Sequence, residues 1–126
     1  MKQEAEQWLE LAAKDLKSAR KLADEEDLFD LACFHCHQVV EKCLKGFLAR
    51  TKAEIPKTHD LGRLGQACAA LDEEFFDVAE AVLELDVFYM GTRYPPRAGM
   101  GASAENLKGA MTVAERVLNL VTGKLA

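Results

Sequence analysis

Residues 33–37 read Cys-Phe-His-Cys-His, the C-x-x-C-H spacing with which two thiols and a histidine attach a c-type haem. On a helix Cys33, Cys36 and His37 share a face, so the three side chains are also within reach of one metal ion. Structural zinc takes four ligands, often as two spaced pairs. The donors left over are Cys43, two turns further on, and His59 in a different segment. Haem attachment further requires export to an oxidising compartment. The first twenty residues, MKQEAEQWLELAAKDLKSAR, are charged throughout and lack the apolar stretch and cleavage site of a secretory leader. The expected compartment is therefore the reducing cytoplasm, and the four cysteines are expected to be free thiols. No haem, no metal and no other cofactor is expected.

Three other groups of residues carry chemistry. His37, Glu41 and Lys45 recur at i, i+4 and i+8 and form a ridge, with Gln38 and Lys42 beside it. Such a ridge is either a solvated face with a Glu–Lys pair worth ~0.3 kcal/mol, or a polar seam lining a groove between helices. The pattern taken alone favours the solvated face. In Thr-His-Asp-Leu at 58–61, His59 and Asp60 read first as helix-start chemistry, since an acid in the first turn suits the helix dipole. The alternative sends the His59 ring across the molecule. Finally, Arg93 and Tyr94 sit in Thr-Arg-Tyr-Pro-Pro-Arg, stiffened by Pro95 and Pro96. Tyr94 precedes a proline and so prefers extended backbone. An arginine next to an aromatic in a stiff loop suits a phosphate and a base. The competing reading is a turn in which Arg93 caps helix carbonyls. Arg93, Tyr94, His37, Glu41, Lys45, His59 and Asp60 are the candidate ligand-binding residues.

Helices must position all of these. At 126 residues the chain fits one domain, residues 1–126, and is long enough for a core without staples. Apolar residues make up 49% and charged residues 29%, the balance of a globular protein, and no run of ~18 apolar residues exists to span a membrane. The net charge of -5 gives no support to a large phosphate-binding face, which leaves room only for a local basic site. Strand alternation and Asn-Gly or Asp-Gly turns are missing. Apolar residues recur instead at three and four. Ala5, Trp8, Leu9, Ala12, Leu16, Ala19 and Ala23 predict an amphipathic helix over about 3–24, ended by the acidic cluster at 24–27, where Asp27 or a neighbour can cap the next helix. A second helix is predicted over about 28–52, with Cys33, Cys36 and Cys43 on its core-facing stripe and Pro56 beyond its end. Three cysteines are thereby explained as small apolar packing groups. A short helix is predicted over about 60–70, capped by Thr58 or Asp60 and placing Cys68 inward. A fourth helix is expected over about 72–90, with Phe75, Phe76, Ala79, Val82, Leu85, Asp86 and Tyr89 along its stripe. Two prolines and three glycines interrupt residues 91–103, and Ser103 can cap a last helix to about Lys124. The fold class is all-α, an antiparallel four-helix bundle with one additional short helix. Phe75, Phe76 and Phe88 surround the fourth helix with more apolar surface than one inward face accepts, which predicts a homodimer.

Four stretches in order, AEQWLELAAKDLKSARKL at 5–22, FDLACFHCHQVVEKCLKGFL at 29–48, PKTHDLGRL at 56–64 and LDVFYMGTRYP at 85–95, make almost the whole chain resemble the small prokaryotic HEPN-domain proteins. The resemblance implies a helical bundle, usually a homodimer, often encoded beside a minimal nucleotidyltransferase in a toxin–antitoxin-like pair with the HEPN partner as toxin. Many HEPN domains are metal-independent ribonucleases marked by an arginine and, after four to six intervening residues, a histidine. Here Arg93 matches, but Ala98, Gly99 and Met100 hold the histidine positions, and all three histidines precede Arg93. Cleavage by the RNA 2′-hydroxyl needs a proton carrier, which histidine provides near neutral pH and arginine does not. Three functions follow as expectations. The chain is a non-catalytic HEPN module that binds nucleotide or RNA phosphate, or a nucleotidyltransferase partner. Alternatively, it is a divergent ribonuclease using Arg93 with His37 or His59. The third is a dimerising partner subunit with no ligand.

Overall fold

Helices form wherever small and apolar residues recur three and four apart, and a computed structural model shows how they pack; it describes residues 2–91 and 102–126. Helix α1, Lys2–Leu22, buries Ala5, Ala12, Leu16 and Ala19. Those small residues let α2, Phe29–Arg50, come close. At their crossing a Cβ added to Gly46 would lie 3.1 Å from the Trp8 Cβ. The capping expected of Asp27 is not made. A 3₁₀ turn, Glu26–Leu28, leads directly into α2, and Leu28 takes the cap position without a side-chain bond. The helix stops at Arg50, well before Pro56. The Ala53 amide reaches the Leu48 carbonyl (3.1 Å) and the Lys52 amide reaches that of Ala49 (3.2 Å), with Lys52 at φ 62°. This is a Schellman ending with lysine in the left-handed position that glycine usually takes.

Helix α3, Leu61–Leu71, starts at Asp60, whose carboxylate accepts the Arg63 amide at 3.2 Å. The single helix expected over 72–90 is a rod of four pieces: a 3₁₀ turn at Glu73–Phe75, α4 at Phe76–Ala81, a second 3₁₀ turn at Val82–Leu85, and α5 at Asp86–Gly91. A 3₁₀ turn brings side chains three apart onto one edge. Val82 and Leu85 are accordingly both buried, and Asp86 follows on the side of α2. Helix α6, Ala104–Leu125, opens with a capping box in which Ser103 and Asn106 satisfy each other's amides at 3.0 Å. Lys124 at its far end pairs with Asp72 (2.8 Å) and Glu74 (2.9 Å), so α6 lies antiparallel to the rod.

The result is an all-α antiparallel bundle in which α2 is the central helix, packed by α1, α3, α5 and α6. Fourteen of its residues are buried, including a histidine, a glutamate and a lysine. No helix among the described residues is long and apolar enough to cross a membrane.

Candidate functional site: a buried polar seam

The thiols of the Cys-Phe-His-Cys-His stretch are core groups. Cys33, Cys36, Cys43 and Cys68 are all free and buried. Burial, with Asp30 nearby, pushes the Cys33 thiol up to about 11. Burial pushes Cys36, Cys43 and Cys68 up to about 12. The Cys36 thiol lies 3.4 Å from the Met111 sulfur, and that of Cys68 is 3.6 Å from the Leu44 carbonyl. Thiols this hard to ionise are poor nucleophiles and poor metal ligands. No group of three or more His, Cys, Asp or Glu among the described residues is placed to hold a metal ion.

The ridge of α2 is different from the solvated face that its pattern favours. His37 is fully buried, and Glu41 and Lys45 are 4% and 9% exposed. The reason is tertiary: neighbouring helices close over this side of α2, and the side that water reaches is the one carrying Leu31, Phe34, His35, Gln38 and Lys42. The His37 Nε2 lies 3.1 Å from the Asp86 Oδ1, and the same oxygen accepts the Leu61 amide at 3.0 Å. The Gln38 amide nitrogen is 3.4 Å from the His37 Nδ1. A neutral ring with its proton on Nε2 satisfies both contacts. Burial lowers the His37 pKa from its ordinary 6.5 and so favours that neutral form, opposed chiefly by the hydrogen bond to Asp86. One turn on, Glu41 joins two elements. Its Oε1 is 2.9 Å from the His59 Nδ1 and its Oε2 accepts from the Lys45 ammonium at 3.2 Å. The ammonium in turn sits 5.7 Å from the centre of the Trp8 ring, a cation–π distance. Among the described residues, every buried side-chain nitrogen or oxygen has a hydrogen-bond partner.

Four of the residues singled out from sequence, His37, Glu41, Lys45 and His59, therefore belong to one seam. Asp60 serves as the α3 cap. Arg93 and Tyr94 lie outside the described residues. Asp86 and Trp8 were missed as seam members. Asp86 stood in the predicted apolar stripe, and a lone carboxylate in such a stripe is the signal that would have found it. Also missed is a second buried carboxylate, Asp15, which holds His35 (2.9 Å) and Lys42 across α1 and α2.

A helical bundle whose central helix carries a satisfied ionic seam, tied to the start of the helix before a Pro-rich segment, defines a class of small all-α proteins. The comparisons name that class. The family model for the HEPN domain matches residues 5–124. ST0689, an archaeal HEPN homologue, is 28% identical, with 97% of this chain and 98% of that chain covered at a TM-score of 0.78. TT1696 from Thermus thermophilus is 30% identical, with 95% of this chain and 97% of that chain covered, also at a TM-score of 0.78. No curated protein matches. The chain belongs to the HEPN-domain family.

Proposed function

We propose that this chain is a non-catalytic HEPN module that binds a nucleotide or RNA phosphate through Arg93 and Tyr94, acts as a homodimer, and partners a minimal nucleotidyltransferase in a toxin–antitoxin-like pair. The observation that carries the reading is the pair of hydrogen bonds that the Asp86 Oδ1 accepts. His37 from α2 and the Leu61 amide from α3 both fix the first residue of α5, the helix whose last residue, Gly91, is followed two residues later by Arg93. A buried polar network at the root of one segment favours a fixed geometry there. Two facts speak for binding rather than cleavage. The positions for a motif histidine after Arg93 hold Ala98, Gly99 and Met100. Of the substitutes, His37 is buried and held neutral by its surroundings, so RNA has no access to it.

The test is a titration of the full chain with AMP, ATP and a short single-stranded RNA, read by melting temperature. A ligand at a hundredfold excess over Kd adds ~2.7 kcal/mol of stability. The wild type is expected to respond to at least one of the three, and Arg93→Ala to respond less. Equal responses would remove Arg93 from the binding role, and a flat wild type would leave the ligand-free partner subunit. The ribonuclease reading rests on His59, which is 53% exposed at its side chain and is the seam histidine within reach of a substrate. Metal-free RNA cleavage lost in both Arg93→Ala and His59→Ala would replace binding by catalysis. For the partner, the decisive observation is whether the neighbouring reading frame encodes a small nucleotidyltransferase that co-purifies with this chain.

A further inference from the structure

On the opposite side of α2 from Asp86, the second buried carboxylate organises a groove that the seam does not involve. Asp15 is 8% exposed, and its two oxygens hold different partners: His35 Nδ1 at 2.9 Å and the Lys42 ammonium. Lys42 compensates its charge, so the carboxylate orients the His35 ring without setting a net negative charge beneath it. An imidazole fixed at Nδ1 by a carboxylate has its other nitrogen, Nε2, left for a ligand. Beside the ring is a groove of about 450 Å³ lined by Lys17, Ser18, Lys21 and Leu22 of α1 together with His35.

The groove reverses the sign of the molecule. The chain carries a net charge of -5, yet no carboxylate lines this groove. Lys17 and Lys21 are one turn apart on α1, where like charges repel by a few tenths of a kcal/mol, about 0.2–0.5. Neither forms an ion pair with any described residue, whereas Arg20 between them reaches Glu115 at 3.7 Å. Ser18 gives its hydroxyl proton to the Lys14 carbonyl at 3.0 Å, which leaves two ammonium groups as the donors facing the groove, with the His35 Nε2 beside them as an acceptor when Nδ1 carries the proton held by Asp15. Two unpaired cations converging with an oriented imidazole suit one chemistry, a phosphate oxyanion.

We infer that the α1–α2 groove is a second phosphate-binding site, in which Lys17 and Lys21 take the phosphoryl oxygens of a free nucleotide or of an RNA backbone beside the His35 ring. It does not depend on Arg93. The test follows the His35 ring signals by NMR while inorganic phosphate, AMP and single-stranded oligoadenylate are added in turn to the full chain. Phosphate-bearing probes are expected to shift His35, and the double variant Lys17→Gln/Lys21→Gln to lose that shift. Both lysines are exposed and unpaired, so the variant keeps its fold. With oligoadenylate, removal of two phosphate contacts should make the slope of log K against log salt shallower by about 1.4, at about 0.7 per contact for a single strand. That change assigns the groove to RNA backbone. A lost His35 shift with an unchanged slope assigns it to free nucleotide, and either outcome supports the site. Arg93→Ala should leave the His35 shift intact, so failure at Arg93 and failure here are read separately. A His35 signal unmoved by all three probes, or moving equally in the double variant, overturns the inference.

Discussion

Single residues show where chemistry was legible along the chain and where it was hidden. The cysteines read correctly because their spacing of three, and then seven, keeps them on one helical stripe, and a thiol on such a stripe packs like a small apolar group. Asp60 and Ser103 also read correctly, since a cap is a local arrangement of side chain and nearby amides. The seam did not. Burial of His37, Glu41 and Lys45 follows from four helices closing around α2, and nothing within α2 records that. Asp15 looks like a solvated acid between Lys14 and Leu16, because its partners lie 20 and 27 residues away. The buried histidine gives the seam a pH signature. Burial, the largest cause, sets its folded pKa below 6.5, with Asp86 and Glu41 opposing and His59 assisting. Below 6.5 the unfolded chain therefore takes up a proton that the folded chain refuses, and stability falls as pH drops toward the lowered folded value. Above 6.5 neither state binds the proton and His37 adds no slope. Thermal melts across that window should show the wild type losing stability on acidification. His37→Gln should be less stable at neutral pH but lose less between the two ends. An unchanged slope in the variant would mean that another group carries the dependence.

Elements were legible in number and order, and least so where two helices touch. The five predicted helices appear within a few residues of their expected limits, but the fourth is broken into alternating 3₁₀ and α pieces. Its buried residues Phe75, Val78, Val82 and Leu85 step by three, four and three, a pattern that one straight helix also accepts. The 3₁₀ turns are set by contact with α2 and α3, which the sequence does not display. That contact is close at Gly65. A Cβ there would lie 2.9 Å from the Ala79 Cα and 3.1 Å from its Cβ, so backbone has to move. Gly109 on α6 offers the contrast, with nothing within 4 Å of an added Cβ. Alanine gains about 1 kcal/mol over glycine inside a helix, whereas overpacking against a rigid neighbour costs about 1–3 kcal/mol. Gly109→Ala should therefore stabilise by up to about 1 kcal/mol, and Gly65→Ala should destabilise despite the same helical gain. Chemical denaturation of both variants reads the two signs. If Gly65→Ala proved as stabilising as Gly109→Ala, α3 and α4 would be able to separate at little cost, and the rod would be a looser platform for α5 than its contacts indicate.

At the scale of the whole molecule, the apolar surplus noticed around the fourth helix takes a definite position. Phe75 is fully buried while its neighbour Phe76 is 64% exposed, so the bundle accepts only one of the pair. Leu83 and Val87 are 54% and 52% exposed, seven and eleven residues beyond Phe76, which keeps all three on one outward stripe of the rod. Beside it, a cleft of about 580 Å³ between the rod and α6 is of mixed character, with Leu83, Val87 and Val113 alongside Glu84, Glu105 and Asn106, so the apolar stripe ends at a polar margin. Contiguous apolar surface on a small protein marks an interface, and the stripe is the surface on which the proposed homodimer would close. A protein of this kind should sediment at twice the 13.9 kDa chain mass. Phe76→Asp with Leu83→Asp should sediment as one chain. Each aspartate would sit at a position already facing water, where substitutions cost within about 0.5 kcal/mol of monomer stability. An unchanged helical signal beside a halved mass would then report the interface rather than unfolding. Opposed aspartates across a two-fold contact would also repel, so weak residual association should strengthen with salt as the charges are screened. If the unsubstituted chain sediments as a monomer at micromolar concentration, the stripe is merely exposed, and the homodimer falls from the proposed function while the phosphate sites stand on their own tests.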